Sequence, residues 1–160
     1  MEQRILVTYA TKAGSTAGVA EAIAQALAAG KDAAVDLHPV EDVHEIAHYD
    51  AVVVGSCIRV GKWQPAALSF LKTHQSVLSS MRVALFTVCW TMREATPANI
   101  ATVQGYVARV LEQVPELKPV SSGLFAGVMK TQDRRDWEAI RAWAAEIKPA
   151  LLGGERAAQE

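Results

Sequence analysis

Hydroxyl-bearing and small residues gather in one short stretch, Thr11-Lys12-Ala13-Gly14-Ser15-Thr16, directly after the apolar run Ile5-Leu6-Val7. A buried strand running into such a turn and then into a helix makes a seat for an anion. The helix is read from Val19, Ile23 and Leu27, spaced by four, which puts Ser15 and Thr16 in its first turn. Unpaired amides and the positive end of the helix dipole favour negative charge there. Thr11, Ser15 and Thr16 supply hydroxyl donors, Ala13 and Gly14 let the backbone come close, and Lys12 adds a charge at the rim. The same residue types also suit ordinary helix capping. The spacing of a nucleoside triphosphate loop is absent, and so is the glycine pattern of a dinucleotide site.

Two further stretches hold unusual side chains at strand ends. Ser56-Cys57-Ile58-Arg59-Val60-Gly61-Lys62-Trp63 follows the β-branched run Ala51 to Val54, and Cys89-Trp90-Thr91-Met92-Arg93 follows Arg82 to Val88. Trp63 and Trp90 are candidate walls for a flat π-system, set against plain packing roles. The amides of Cys57 to Gly61 are candidate partners for its polar edge, and Ser56 for a polyol chain.

The elements that must position these stretches alternate along the chain. Strands are expected at the N-terminus, over Ala34 to Leu37, Asp50 to Ser56, Arg82 to Val88 and Val120 to Met129. Residues Cys57 to Trp63 read as a loop. A helix opens at Pro65, with Leu68, Leu71 and Leu78 on its inner stripe. Thr96-Pro97 caps another, whose inner face is Ile100, Val103, Val107, Val110, Leu111 and Val114. A last helix starts at Asp133 or Asp136 and turns Ile140, Ala144, Ile147 and Leu151 inward. The expected fold is α/β, an open five-stranded parallel sheet of order 2-1-3-4-5 with helices on both faces. Ligands of such sheets bind beyond the carboxyl ends of the strands at the switch in strand order, where the three stretches converge.

Thr11 to Thr16 after the first strand resembles the flavodoxin loop that holds the monophosphate of FMN. The segment V-V-V-G-S-C-I-R-V-G-K-W, then Phe70-Leu71-Lys72-Thr73-His74 and Leu124-Phe125-Ala126-Gly127, extends the likeness over nearly the whole chain. It is similar to the flavodoxin-domain family that includes the menaquinone-dependent protoporphyrinogen oxidases of bacterial haem synthesis. The resemblance implies FMN held by Thr11 to Thr16, by Ser56 to Gly61 with Trp63, and by Cys89, Trp90 and Thr91. It implies an oxidoreductase with a quinone, a small molecule or a protein as redox partner, or else a flavodoxin-type electron carrier with no substrate of its own. A flavin-free binding module is a third class. The chain departs from those oxidases in having only a short connection, Met129 to Asp136, where they carry a long segment.

Charge gives a separate indication. Arg59, Lys62 and Arg93 outnumber Glu94 in the loops, which predicts a less negative potential for uptake of the second electron. A phosphorelay receiver would need an aspartate after the third strand, where Gly55-Ser56 stands. The net charge of −1 gives no footprint for nucleic acid, and the histidines and the two cysteines show no metal-ligand spacing. Cys57 and Cys89 read as free thiols, and Trp137 and Trp143 as packing residues. With 160 residues one domain is expected over 1–152, with a tail over 153–160. No apolar run is long enough for a transmembrane segment, and no leader is read at the N-terminus, which predicts a cytoplasmic location.

Overall fold

A computed structural model describes residues 3–11 and 14–153. Strand β1 (Gln3–Ala10) lies inside a parallel sheet with β2 (Ala33–Pro39), β3 (Ala51–Arg59), β5 (Arg82–Val88) and β6 (Ser121–Phe125), in the order β2-β1-β3-β5-β6. A two-residue strand, β4 (Lys62–Trp63), pairs antiparallel with the end of β3. Counted without it, the parallel order is the expected 2-1-3-4-5.

The reason is visible in which residues each face buries. Ile5 and Val7 of β1, with Val53 and Phe86, pack against Val19, Ile23 and Leu27 of α1 (Ser15–Ala28) and Ile140, Ile147 and Leu151 of α5 (Trp137–Leu152). Leu6, Val52, Val54 and Leu85 face the other way, onto Phe70 and Leu71 of α2 (Pro65–Thr73) and Val107 and Val110 of α4 (Pro97–Gln113). Successive strand residues thus serve opposite layers. A strand covered on both sides must be apolar without alternation, as Ile5 to Val7 and Ala51 to Val54 are. Gly55 is forced by its neighbour: a Cβ there would sit 2.0 Å from the Phe86 ring, its register partner on β5.

Two helix starts follow the expected capping. Thr96 Oγ1 accepts a hydrogen bond from Asn99 N at 3.1 Å, and Asp136, not Asp133, caps α5 by accepting from Ala139 N at 3.0 Å. Gly153 closes α5 in the left-handed region at φ 70, so ordered structure continues through that residue; the rest of the expected tail lies outside the described residues.

Three expectations need correction. The helix from Pro65 is broken at His74, whose amide bonds back to Phe70 O, and resumes as the single turn α3 (Gln75–Leu78). Residues Cys57 to Trp63 are not a loop, because β3 runs on to Arg59 and returns through Val60-Gly61 into β4. Their φ values of 53 and 71 match the two positive values that a tight hairpin turn of right-handed twist demands. The fifth strand ends at Phe125, and a second hairpin, β7 (Val128–Met129) with β8 (Gln132–Asp133), stands apart from the sheet. Gly127 O accepts from Arg134 N at 3.1 Å, so the chain leaves the sheet where the expected strand had its second glycine.

Candidate functional site

The two hairpins and the turn after β5 enclose a cleft of about 310 Å³ at the carboxyl edge of the sheet, lined by Ser15, Cys57 to Arg59, Val88, Trp90 and Gly127 to Lys130. The start of α1 reaches it through Ser15. There Thr11 Oγ1 accepts from Gly14 N at 3.0 Å, and Gly14 occupies the left-handed region at φ 90. That conformation is open to glycine without penalty. No side chain caps α1, and Thr16, fully buried in its first turn, has a hydroxyl without a hydrogen-bond partner among the described residues. A buried hydroxyl left unpaired costs free energy, which a ligand oxygen would recover. Lys12 and Ala13 lie outside the described residues.

Of the predicted ring-facing residues, Cys57, Ile58, Arg59 and Trp90 reach the cleft. Trp90 sits on a single turn of 3₁₀ helix (Trp90–Arg93), with the Arg93 guanidinium 5.3 Å above its ring and donating to its carbonyl at 3.2 Å. Thr91 is half-buried beside it and outside the cleft lining. Cys89 is buried, its amide held by Phe125 O at 2.9 Å.

Trp63, by contrast, is placed in the core. It is 4% exposed among the residues packed under α2 and α4, and its Nε1 donates to Thr87 Oγ1 at 3.0 Å. In the hairpin register it stands opposite Ile58, and directly paired residues share a face. Ser56 is also committed: its hydroxyl donates to Cys57 O and accepts from Gln64 N, both at 2.8 Å. Val60 is 95% exposed at the hairpin tip, and Gly61 faces Tyr106 of α4 across a separate groove that Lys62 also lines.

Val88 and the wall from Gly127 to Lys130 are absent from the predicted site. The Leu124-Phe125-Ala126-Gly127 segment and the glycine break were the available signals. Lys130 joins Arg59 at the cleft, with Arg93 behind Trp90, so the rim is cationic even though Lys62 faces elsewhere. Next to this wall Asp133 is held at a pKa of about 2, chiefly by the hydrogen bond from Arg135.

A family model described as a flavodoxin domain matches residues 6–141. The chain belongs to the flavodoxin domain family. Membership of that family implies FMN as the cofactor. The vacant hydroxyl of Thr16, the uncapped helix start and an indole in an adjoining cleft fit a phosphate joined to a flat ring.

Among curated proteins, the chain is 32% identical over 128 residues to a Leishmania major protein named protoporphyrinogen IX dehydrogenase (quinone), spanning 79% of this chain and 54% of that one. The chain therefore spans about half the length of that relative. It is 28% identical over 132 residues to the Escherichia coli K12 protein of the same name, covering 79% of this chain and 70% of that one. The fold is shared with a flavodoxin from the domain Archaea, at a TM-score of 0.66 and 20% identity, over 94% of this chain and 99% of the other. No helix among the described residues is long and apolar enough to cross a membrane. Nor do those residues contain a cluster of three potential metal ligands.

Proposed function

We propose that this domain is an FMN-dependent oxidoreductase related to the protoporphyrinogen dehydrogenases, passing electrons between a reduced organic substrate and a quinone-type acceptor. The observation that carries the reading is the cleft itself, where Ser15, at the first turn of α1 and next to the buried, unpartnered Thr16 hydroxyl, lines a pocket walled by Trp90 and rimmed by bases.

In this reading Thr11 to Thr16 hold the phosphate, Lys12 and Ala13 included, with Thr16 and Ser15 donating from the helix start. The edge of β3 from Cys57 to Arg59 presents backbone groups to the ring, and Trp90 covers one side. Ser56 shapes the site from behind by fixing the hairpin, and so do Trp63 and Cys89 from the core. Val60, Gly61 and Thr91 act as turn and support. Bound FMN supplies one- and two-electron transfer, and the chain contributes position, exclusion of water and charge. Arg59, Arg93 and Lys130 favour negative charge in the cleft and so make electron uptake easier. No side chain in the cleft is assigned as a catalytic acid or base.

Purified protein is expected to carry flavin absorbance, with FMN released on denaturation, and to oxidise protoporphyrinogen with a quinone as acceptor. Absence of FMN binding would defeat the cofactor assignment. FMN binding without turnover would favour the second reading, a flavodoxin-type electron carrier, for which the short connection between β6 and α5 speaks. A cytoplasmic location belongs to the same proposal.

A further inference from the structure

Arg135 lies between the β7–β8 hairpin and the helix that opens the phosphate turn. Its Nη1 donates to Ser15 O at 3.3 Å, and its Nε and Nη2 grip Asp133 Oδ1 and Oδ2 at 2.9 and 2.6 Å. The guanidinium stacks 4.6 Å above the Trp137 ring, at the start of α5, and the side chain is 19% exposed. A planar fork held on all these sides has few other places to go. Room for it exists because residue 18 is glycine: a Cβ there would lie 2.7 Å from Arg135 Nη1.

We infer that Arg135 is a positioning residue for phosphate binding, fixing the first turn of α1 through Ser15 O and tying the Met129–Lys130 wall to that turn. The inference rests on the FMN reading. The charge of Arg135 is matched by Asp133, so its contribution is orientation: the Ser15 carbonyl is held, and with it the amides and hydroxyls of Ser15 and Thr16. Thr16 in the same turn is buried with a hydroxyl that has no hydrogen-bond partner among the described residues, next to Ser15, which lines the cleft. A misplaced turn loses the phosphate contacts and leaves the ring contacts in place.

The experiment compares FMN with riboflavin, which lacks the phosphate, by fluorescence titration of apo-protein. Arg135→Lys keeps the charge and loses the fork, and Gly18→Ala displaces the guanidinium from a second direction. Each is expected to weaken FMN binding about tenfold, the scale of one hydrogen bond to a charged group. Riboflavin affinity and the melting temperature of the apo-protein should stay near those of the wild type. Equal losses for both ligands, or no loss for either, overturn the inference. Wild-type protein that binds riboflavin and FMN equally well overturns the phosphate seat itself, and wild-type protein that binds neither overturns the FMN reading and this inference with it.

Discussion

The two hairpins that wall the cleft are built alike and held differently. Each follows a parallel strand, β3 directly and β6 after Ala126-Gly127, and each turns on a non-glycine residue in the left-handed region, Val60 at φ 53 and Lys130 at φ 55. The β3–β4 hairpin is pinned from below by a buried indole, by the Trp63 to Thr87 hydrogen bond and by Ser56. The β7–β8 hairpin has no core residue of its own, since Val128 is half-buried and Met129, Gln132 and Asp133 are exposed. It is held from the side by the ion pair of Asp133 with Arg135. One wall thus belongs to the cooperative core, while the other depends on charge and can loosen without global unfolding.

The largest test of that contrast is truncation. Trp63→Ala is expected to cost about 3–5 kcal/mol in denaturant unfolding, as large buried aromatics do, whereas Met129→Ala should stay within about 0.5 kcal/mol. Similar losses at both positions would erase the distinction. Ser56→Ala comes next, at about 1–3 kcal/mol, because the Gln64 amide loses its acceptor in a part-buried setting. An unchanged unfolding midpoint would mean that the hairpin is held by Trp63 alone.

Relief of turn strain is smaller and of opposite sign. Val60→Asn should raise stability by about 1 kcal/mol, since asparagine tolerates the left-handed region that a β-branched side chain resists. A fall in melting temperature would show that the exposed valine does more than occupy the turn.

Acid separates the walls most finely. Asp133 has a folded-state pKa of about 2 against an ordinary value of 3.8. Its folded form holds fewer protons than its unfolded form in that window. The stabilisation is therefore complete above about pH 4 and is lost as pH falls towards 2. Amide exchange measured across this range should show β7–β8 opening before β3–β4, whose anchors do not titrate there. In Asp133→Asn the ion pair is absent at every pH, so β7–β8 should open more readily throughout and its dependence on pH across this range should vanish.

Much of this was legible in the residues. Continuous apolar runs such as Ala51 to Val54 signal strands covered on both faces, helical spacing signals the intervening helices, and Thr96 announces its own helix start. The last helix start is narrowed to Asp133 or Asp136, and the cap on Ala139 N settles it as Asp136. The start of α1 was legible in its apolar spacing, whereas the hydroxyls and glycine before it suit an anion seat and ordinary helix capping alike. The two tryptophans show where that reading ends. Trp63 and Trp90 both stand in stretches that read alike in the sequence, each after an apolar run, yet one packs in the core and the other lines the cleft.

Local sequence determined that this chain forms a layered parallel sheet with a hydroxyl-rich turn before its first helix, because periodicity and turn chemistry are properties of neighbouring residues. Tertiary structure decided which side chains meet there. A tight turn at Val60-Gly61 sets Trp63 opposite Ile58 and so turns it inward, and the departure of the chain at Gly127 brings Lys130 and Arg135 to a helix start more than a hundred residues away in sequence. Both outcomes depend on strand register and on long-range packing, which no local pattern of residues encodes.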